Sequence, residues 1–495
     1  MLEGKVSMSG NDDFVNLSYV AIDPACAMRV PAAFAMQRQV LPLCMVDGDF
    51  IVAMADPSEV KTIAALRSAI GVPVIAKRAD AASLRDYLVR LYGNVQAIQD
   101  DSACDDAVST VDYLIRSAFI RHASDIHFDP SRDGVRVRFR IDGELEDVAN
   151  IPVELQPSVT SRLKVLADLK LDERRAPQDG AFAWRVPDAF SDDTTALDIR
   201  LATLPGRYGE RITLRLLETS SKRYTTDILG MSAAHKDEFE GVLGSPHGLV
   251  LLTGPTGSGK TTTLYAAIQY LLELHPMNII TVENPVEYEI PGIFQAEVDY
   301  ADKVNFSKAL RSILRHDPDV IMIGEIRDGE SLDTAVKASL TGHLVLSTLH
   351  TNNAVNAVTR LSNMGLERHL LAATLRLSVA QRLARALCPY CRDSHQVTVR
   401  EAALCGHPEL EGETVYVPHG CLYCAGRGMR GRTGLFEFFK PDAEMSSAIA
   451  AGASEAEIEA IRRNRIEPTL FDDGLSKCLS GITTLQEVNR VAGMF

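Results

Sequence analysis

Residues 254–261 read GPTGSGKT, and no other part of the chain constrains its fold as strongly. The octapeptide fills the pattern GxxxxGK[ST], follows the apolar run LVLLT and precedes TTTLYAAIQYLLEL, a helical stretch. Strand, glycine loop and helix in that order form the context in which such a loop cradles phosphate. Gly254, Gly257 and Gly259 let the backbone curl so that successive N–H groups point inward, and the following helix adds its N-terminus. Pro255, Thr256 and Ser258 complete the loop. Lys260 is placed to reach the β- and γ-phosphates of a triphosphate such as ATP, and the Thr261 hydroxyl to coordinate Mg²⁺.

The segments that follow repeat the alternation. LVLLTG, NIITVE, DVIMIGE and HLVLSTLH are short apolar runs separated by helical stretches. Strands alternating with helices of this length predict an α/β fold with a mostly parallel sheet covered on both faces. Upstream, residues 14–93 alternate DFIVAMADP, SEVKTIAALRSAIG and VPVIAK, which predicts a small α/β domain. The polar, acidic stretch 94–106 reads as a linker. A second α+β domain spans 107–218, with a helix in VSTVDYLIRSAFIRHA and strands in VRVRFRIDGEL, ALDIRLATLP and ERITLRLL. The last domain occupies 226–495.

The length of 495 residues accommodates that many domains, and 46% hydrophobic with 24% charged residues is ordinary globular usage. The net charge of −15 opposes capture by a phosphate backbone, so nucleic acid is not expected as a ligand. The first residues, MLEGKVSMSGNDDF, lack the charged head and apolar core of a secretory signal, and no run of 18 apolar residues occurs. A cytoplasmic chain that meets a membrane only through partners is expected.

A phosphate cradle hydrolyses nothing without a carboxylate to polarise water near the γ-phosphate. Glu325 ends the run DPDVIMIGE, and ligands sit at strand C-termini in parallel sheets. The Asp that often precedes such a Glu is replaced by Gly324, so metal support must come from Thr261, water and another carboxylate, for which Glu283 at the end of NIITVE is the candidate. His343 and His350 flank LVLSTL beside Thr341 and Thr348, and a histidine at a strand end can place a donor near the γ-phosphate.

Of nine cysteines, Cys26, Cys44, Cys104, Cys405 and Cys478 are scattered singly and read as small buried residues. Cys388 and Cys391 form CPYC, and Cys421 and Cys424 form CLYC, with Gly420, Gly426 and Gly428 around the second pair. Two tight CxxC loops can converge on a tetrahedral Zn²⁺, closed to chemistry by its four thiolates; the alternative is a redox pair, without a thioredoxin-like context to support it. The 29 residues from Arg392 to Gly420 exceed the common ribbon spacing, but closure entropy grows slowly with loop length.

Taken in order, GPTGSGKTTTLY, TVENPVEY, RSILRHDPDVIMIGEIRD, SLTGHLVLSTLHTNNA and QRLARALCPYC resemble the secretion ATPases that power type II secretion and type IV pilus assembly. ASDIHFDP, RFRIDGEL, RLKVLADLKLDERRAPQDG and LPGRYGERITLRLL extend the resemblance upstream, and IDP, LPL and VAMADP carry it into the first domain. It implies a homo-hexameric cytoplasmic motor in which a PAS-like domain precedes a RecA-like P-loop domain, with nucleotide between the two. By the same resemblance Glu325 matches the Walker B glutamate, Glu283 the carboxylate of the aspartate box and His343 the histidine box. Arg200 and Arg215 match arginines that the preceding domain offers to the nucleotide, and Arg311, Arg315 and Arg327 match further family arginines. The family's EDP is here Glu283, Asn284 and Pro285, which leaves Glu283 and Glu287 to support the metal. A tetracysteine zinc insert, here 386–434, also belongs to the family pattern. The implied partners are an inner-membrane platform protein and a membrane-anchored recruiter that docks residues 1–93, and the implied work is type II secretion or, alternatively, pilus extension. A retraction motor fits less well, because those resemble only the later domains. A nucleotide-binding scaffold and a DNA pump are the readings from other classes, opposed by Glu325 and by the net charge respectively.

Overall fold

The structure is a computed structural model that describes residues 14–17, 20, 22–27, 29–30, 32–92, 107–187, 194–218, 224–298 and 306–493. The linker expected at 94–106, together with Cys104, lies outside them. The chain divides into two compact units: 1–220 with 387–393 and 417–431, and 221–386 with 394–416 and 432–495. Both cysteine pairs, counted with the last domain in the sequence, therefore group with the first unit.

After two short helical segments, Pro24–Ala27 and Ala32–Arg38, the first unit runs through strands β1 (Val40–Val46) and β2 (Asp49–Met54), helix α1 (Val60–Ile70) and strand β3 (Val74–Arg78). β2 pairs antiparallel with β1 and parallel with β3, so the α/β alternation read from the sequence is a single β-α-β crossover beside a hairpin. Helix α2 (Ala107–Ile120) leads into strands β4 (Asp125–Ser131), β5 (Gly134–Ile141), β6 (Glu144–Ile151), β7 (Gln178–Pro187), β8 (Thr194–Gly206) and β9 (Gly209–Glu218). These six form one sheet in the order β6-β5-β4-β9-β8-β7. Period-two alternation decides its faces: Val135, Val137, Phe139 and Ile141 turn into a core with Leu114 and Leu163, while Arg136, Arg138 and Arg140 take the other face.

The second unit is built on β10 (Gly248–Thr253), helix α3 (Lys260–Leu274), β11 (Ile279–Glu283), β12 (Phe294–Glu297), β13 (Val320–Ile323), helix α4 (Gly329–Leu340), β14 (Leu344–Leu349), β15 (Leu375–Leu387), the ribbon β16 (Arg392–Gln396) with β17 (Thr414–Pro418), and β18 (Met429–Phe439). Seven strands form a sheet in the order β12-β11-β13-β14-β10-β15-β18. All pairings from β12 to β15 are parallel. Leu249, Leu251, Ile321 and Ile323 enter the core on one face, and Val250, Leu252, Met322 and Leu346 the core on the other. Two covered faces explain why these strands read as continuous apolar runs. Each such side chain contributes about 1.5–3 kcal/mol on burial.

Candidate functional site

Parallel pairing brings the C-terminal ends of β10, β13 and β14 to one edge of the sheet, and the residues that follow each strand meet there. Gly254 N–H donates to Leu349 O at 3.3 Å, Ile326 N–H to Thr348 O at 3.2 Å, and Thr351 N–H to Thr253 Oγ1 at 2.9 Å. The edge is thus laced together by main-chain N–H groups, one of them bonded to the Thr253 hydroxyl, and carries the loop 254–259.

Gly254 sits at φ +151°, and a Cβ there would lie 2.5 Å from Gln381 O and 2.7 Å from Ser258 Oγ. No other residue type fits that position. Gly259 caps α3 in a left-handed conformation at φ +87° and supplies no side-chain acceptor to the helix. The first N–H groups of α3 remain available to an anion. Ser258 Oγ is buried without a hydrogen-bond partner among the described residues, and the Thr261 hydroxyl is exposed at the helix start. Lys260 is buried, its Nζ donating to Gly254 O at 2.7 Å and Pro255 O at 3.0 Å. Burial pushes its pKa down to about 8; the charge of Glu325 opposes this and that of Arg382 adds to it. An orphaned hydroxyl, free helix N–H groups and an ammonium that among the described residues is held by carbonyls make a cradle that fits a polyphosphate.

Glu325 lies two residues past β13, with Oε1 3.3 Å from His350 Nε2 and Oε2 accepting from Arg327 Nε at 2.8 Å. His350 follows β14 directly, at the same edge as the loop. His343, the histidine expected in the site, precedes β14 and lies at the opposite end of that strand. Its carbonyl accepts from Gly248 N–H at the start of β10, and its Nδ1 stands 2.9 Å from Ala338 O. Six residues at ~3.3 Å each put it about 20 Å from the phosphate loop. The structure therefore does not bring His343 to the loop: β14 runs parallel to β10, and it is His350, following the strand, that lies at the loop's edge.

Glu283 ends β11 at the same edge but is turned inward and 3% exposed. Its carboxylate accepts from Tyr265 Oη, from Thr281 Oγ1 at 2.6 Å and from Gln295 Nε2 at 3.1 Å. Burial pushes its pKa up, and these three donors pull it back. Asn284 donates to Val298 O at 2.5 Å, and Glu287 is exposed. Tyr265 and Gln295 were not singled out in the sequence, because nothing in the spacing marks them as partners of Glu283.

The arginines separate by unit. Arg311 pairs with Glu330, and Arg315 donates to Arg311 O at 3.1 Å, both in the second unit. In the first unit Arg200 and Arg215 are directly opposed on β8 and β9, and Arg215 donates to Asp125 at 3.0 Å. Like charges directly across a strand pair repel, and Asp125 offsets this at Arg215.

Cys388, Cys391, Cys421 and Cys424 converge, all four sulfurs lying within 4.8 Å of one another. Sγ–Sγ distances of 3.7, 3.8 and 3.8 Å match the ~3.8 Å edge of a tetrahedron drawn with Zn–S bonds of ~2.3 Å. Gly420, Cys421 and Gly428 N–H groups donate to these sulfurs at 3.1–3.3 Å, which favours thiolates. The donor set fits a structural Zn²⁺. The knuckle also packs inside the first unit: Ala425 enters the core of the first domain, and a Cβ on Gly426 would lie 2.3 Å from Met45 O. Arg427 reaches Glu146 at 3.5 Å, and Gly431 N–H donates to Asp142 at 3.0 Å.

Sequence and structure comparisons place this architecture among secretion ATPases. The family model for "Type II/IV secretion system protein" matches residues 101–490, and that for the "MshEN domain" matches residues 13–97. The chain belongs to the type II/IV secretion system protein family. It is 44% identical over 389 residues to the type II secretion system protein E of Dickeya dadantii, covering 78% of this chain and 76% of that one. It is 39% identical over 504 residues to the type IV pilus assembly ATPase PilB of Myxococcus xanthus, covering 96% of this chain and 88% of that one. Among solved structures, the pilus retraction motor PilT with bound ADP aligns at a TM-score of 0.52 and 25% identity, over 77% of this chain and 96% of PilT. The Legionella pneumophila ATPase DotB aligns at a TM-score of 0.55 and 20% identity over 78% of this chain and 95% of DotB, a likeness of fold.

Proposed function

We propose that this chain is the ATP-hydrolysing motor of a type II secretion system. Its support is the gathering, at one sheet edge of a secretion-family chain, of a phosphate cradle and a carboxylate with a histidine against it. The loop Gly254–Thr261 holds the phosphates, and Thr261 with Glu325 would hold Mg²⁺, whose charge would offset that of the phosphates. Glu325 orients and polarises the attacking water, held in place by His350 and Arg327. Glu283 braces the loop's edge through Tyr265 of α3. The 226–495 segment is the motor domain, 107–218 the PAS-like domain and 1–93 the docking domain, with Zn²⁺ on the four cysteines.

The motor works as a homo-hexamer in the cytoplasm, peripheral to the inner membrane. Among the described residues no helix is long and apolar enough to cross a membrane, so force passes through a platform protein and a membrane-anchored recruiter. A second reading, pilus extension, is favoured by one observation: the PilB relative aligns over 96% of this chain, against 78% for the Dickeya dadantii secretion relative. Replacing the chromosomal copy by Lys260→Ala tests both. Loss of exported proteins with surface pili intact supports secretion, loss of pili alone transfers the motor to pilus extension, and loss of neither overturns both.

A further inference from the structure

β15 pairs with β10 as far as Thr253 opposite Ala380, so Gln381 and Arg382 run on beside the start of the phosphate loop. Arg382 Nη1 would be 3.0 Å from a Cβ placed on Gly254. The guanidinium is aimed by two carbonyls: Nη1 donates to Gln381 O at 3.0 Å and Nη2 to Asn352 O at 2.7 Å. Asn352 lies two residues past His350, so the same loop that places His350 also places Arg382. Gln381 on its other side accepts from Thr263 of α3 at 2.9 Å.

Among the described residues Arg382 forms no ion pair; Glu437 acts on it only at longer range, and burial opposes its charge. Lys260 is in the same position, its ammonium satisfied by loop carbonyls alone. Two cations at one loop, each bound to dipoles and neither neutralised, are costly to a folded chain unless an anion completes them. A guanidinium carries five N–H groups in a planar fork, and two carbonyl contacts leave others free for phosphate oxygens.

We infer that Arg382 is a second phosphate-binding cation of the nucleotide site, joining Lys260 on the phosphates of bound nucleotide. The inference rests on the phosphate-loop reading above. A strut that only ties β15 to the loop after β14 would make the same two carbonyl bonds, so the test must read the ligand.

Binding of fluorescent ATP and ADP to the full chain is measured for wild type, Arg382→Gln, Arg382→Lys and Lys260→Ala, with melting in the absence of nucleotide. Loss of a charged donor to phosphate predicts affinity weakened about ten- to a hundredfold in Arg382→Gln, partly restored in Arg382→Lys, with nucleotide-free melting no lower than that of wild type. Arg382→Gln binding within about twofold of wild type while Lys260→Ala loses ATP overturns the role of Arg382 and leaves the phosphate loop standing. Lys260→Ala binding ATP as tightly as wild type overturns the phosphate loop itself. Phenylglyoxal modification of the wild type needs no variant: saturating ATP is expected to protect Arg382, and equal modification with and without ATP contradicts the inference.

Discussion

Lys260 sits in a loop that satisfies its ammonium with carbonyls but lowers its pKa to about 8 through burial. Bound phosphate favours the ammonium, so above pH ~8 nucleotide binding must take up a proton. ATP affinity therefore falls as the pH rises through about 8, by up to about tenfold per pH unit. Titration of fluorescent ATP from about pH 7 to about pH 9.5 reads this, and a flat affinity contradicts it. Glu283 and Glu325 separate just as clearly. Glu283 faces three donors in a buried pocket, so an amide there sets N–H against O–H. Glu283→Gln should cost about 1–3 kcal/mol of stability, seen as a lower denaturation midpoint. Glu325→Gln replaces a part-exposed group at the rim and should leave that midpoint unchanged; equal midpoints for both variants would contradict the geometry.

β14 decides which histidine serves the site. Because it runs parallel to β10, His350→Ala is expected to lower kcat at saturating ATP about a hundredfold, and His343→Ala by less than about threefold. Comparable losses would mean that the strand's direction does not govern the chemistry. The central strands were readable in the sequence because strands covered on both faces are predominantly apolar, and the phosphate loop because glycine spacing and strand-helix context coincide. The orientation of Glu283 was not, since Tyr265 and Gln295 come to it from 18 and 12 residues away and polar partners leave no periodicity. The four cysteines were legible as a set, yet their seat on the first unit, through Ala425, Gly426 and Arg427, depends on contacts with residues as remote as Met45 and Glu146. That seat makes the knuckle part of the first unit's stability. Removing zinc with a chelator, after confirming one zinc per chain, should lower the first unit's calorimetric transition by about 5 °C or more. An unmoved transition would show that the thiols hold the fold without metal.

At the scale of the whole molecule, the chain joins a unit carrying the arginine pair and the zinc knuckle to a unit carrying the phosphate loop and Glu325. The net charge is −15, and among the described residues no helix is long and apolar enough to cross a membrane. Its central claim is that ATP is hydrolysed at Glu325 in an assembled ring. The most direct test is steady-state ATP hydrolysis by wild type and Glu325→Gln, with subunit number measured by light scattering and ATP binding measured alongside. The account predicts turnover in the wild type that rises with assembly, and in Glu325→Gln a loss of at least about a hundredfold in kcat with ATP binding preserved. Equal hydrolysis by the two assembled proteins would contradict it.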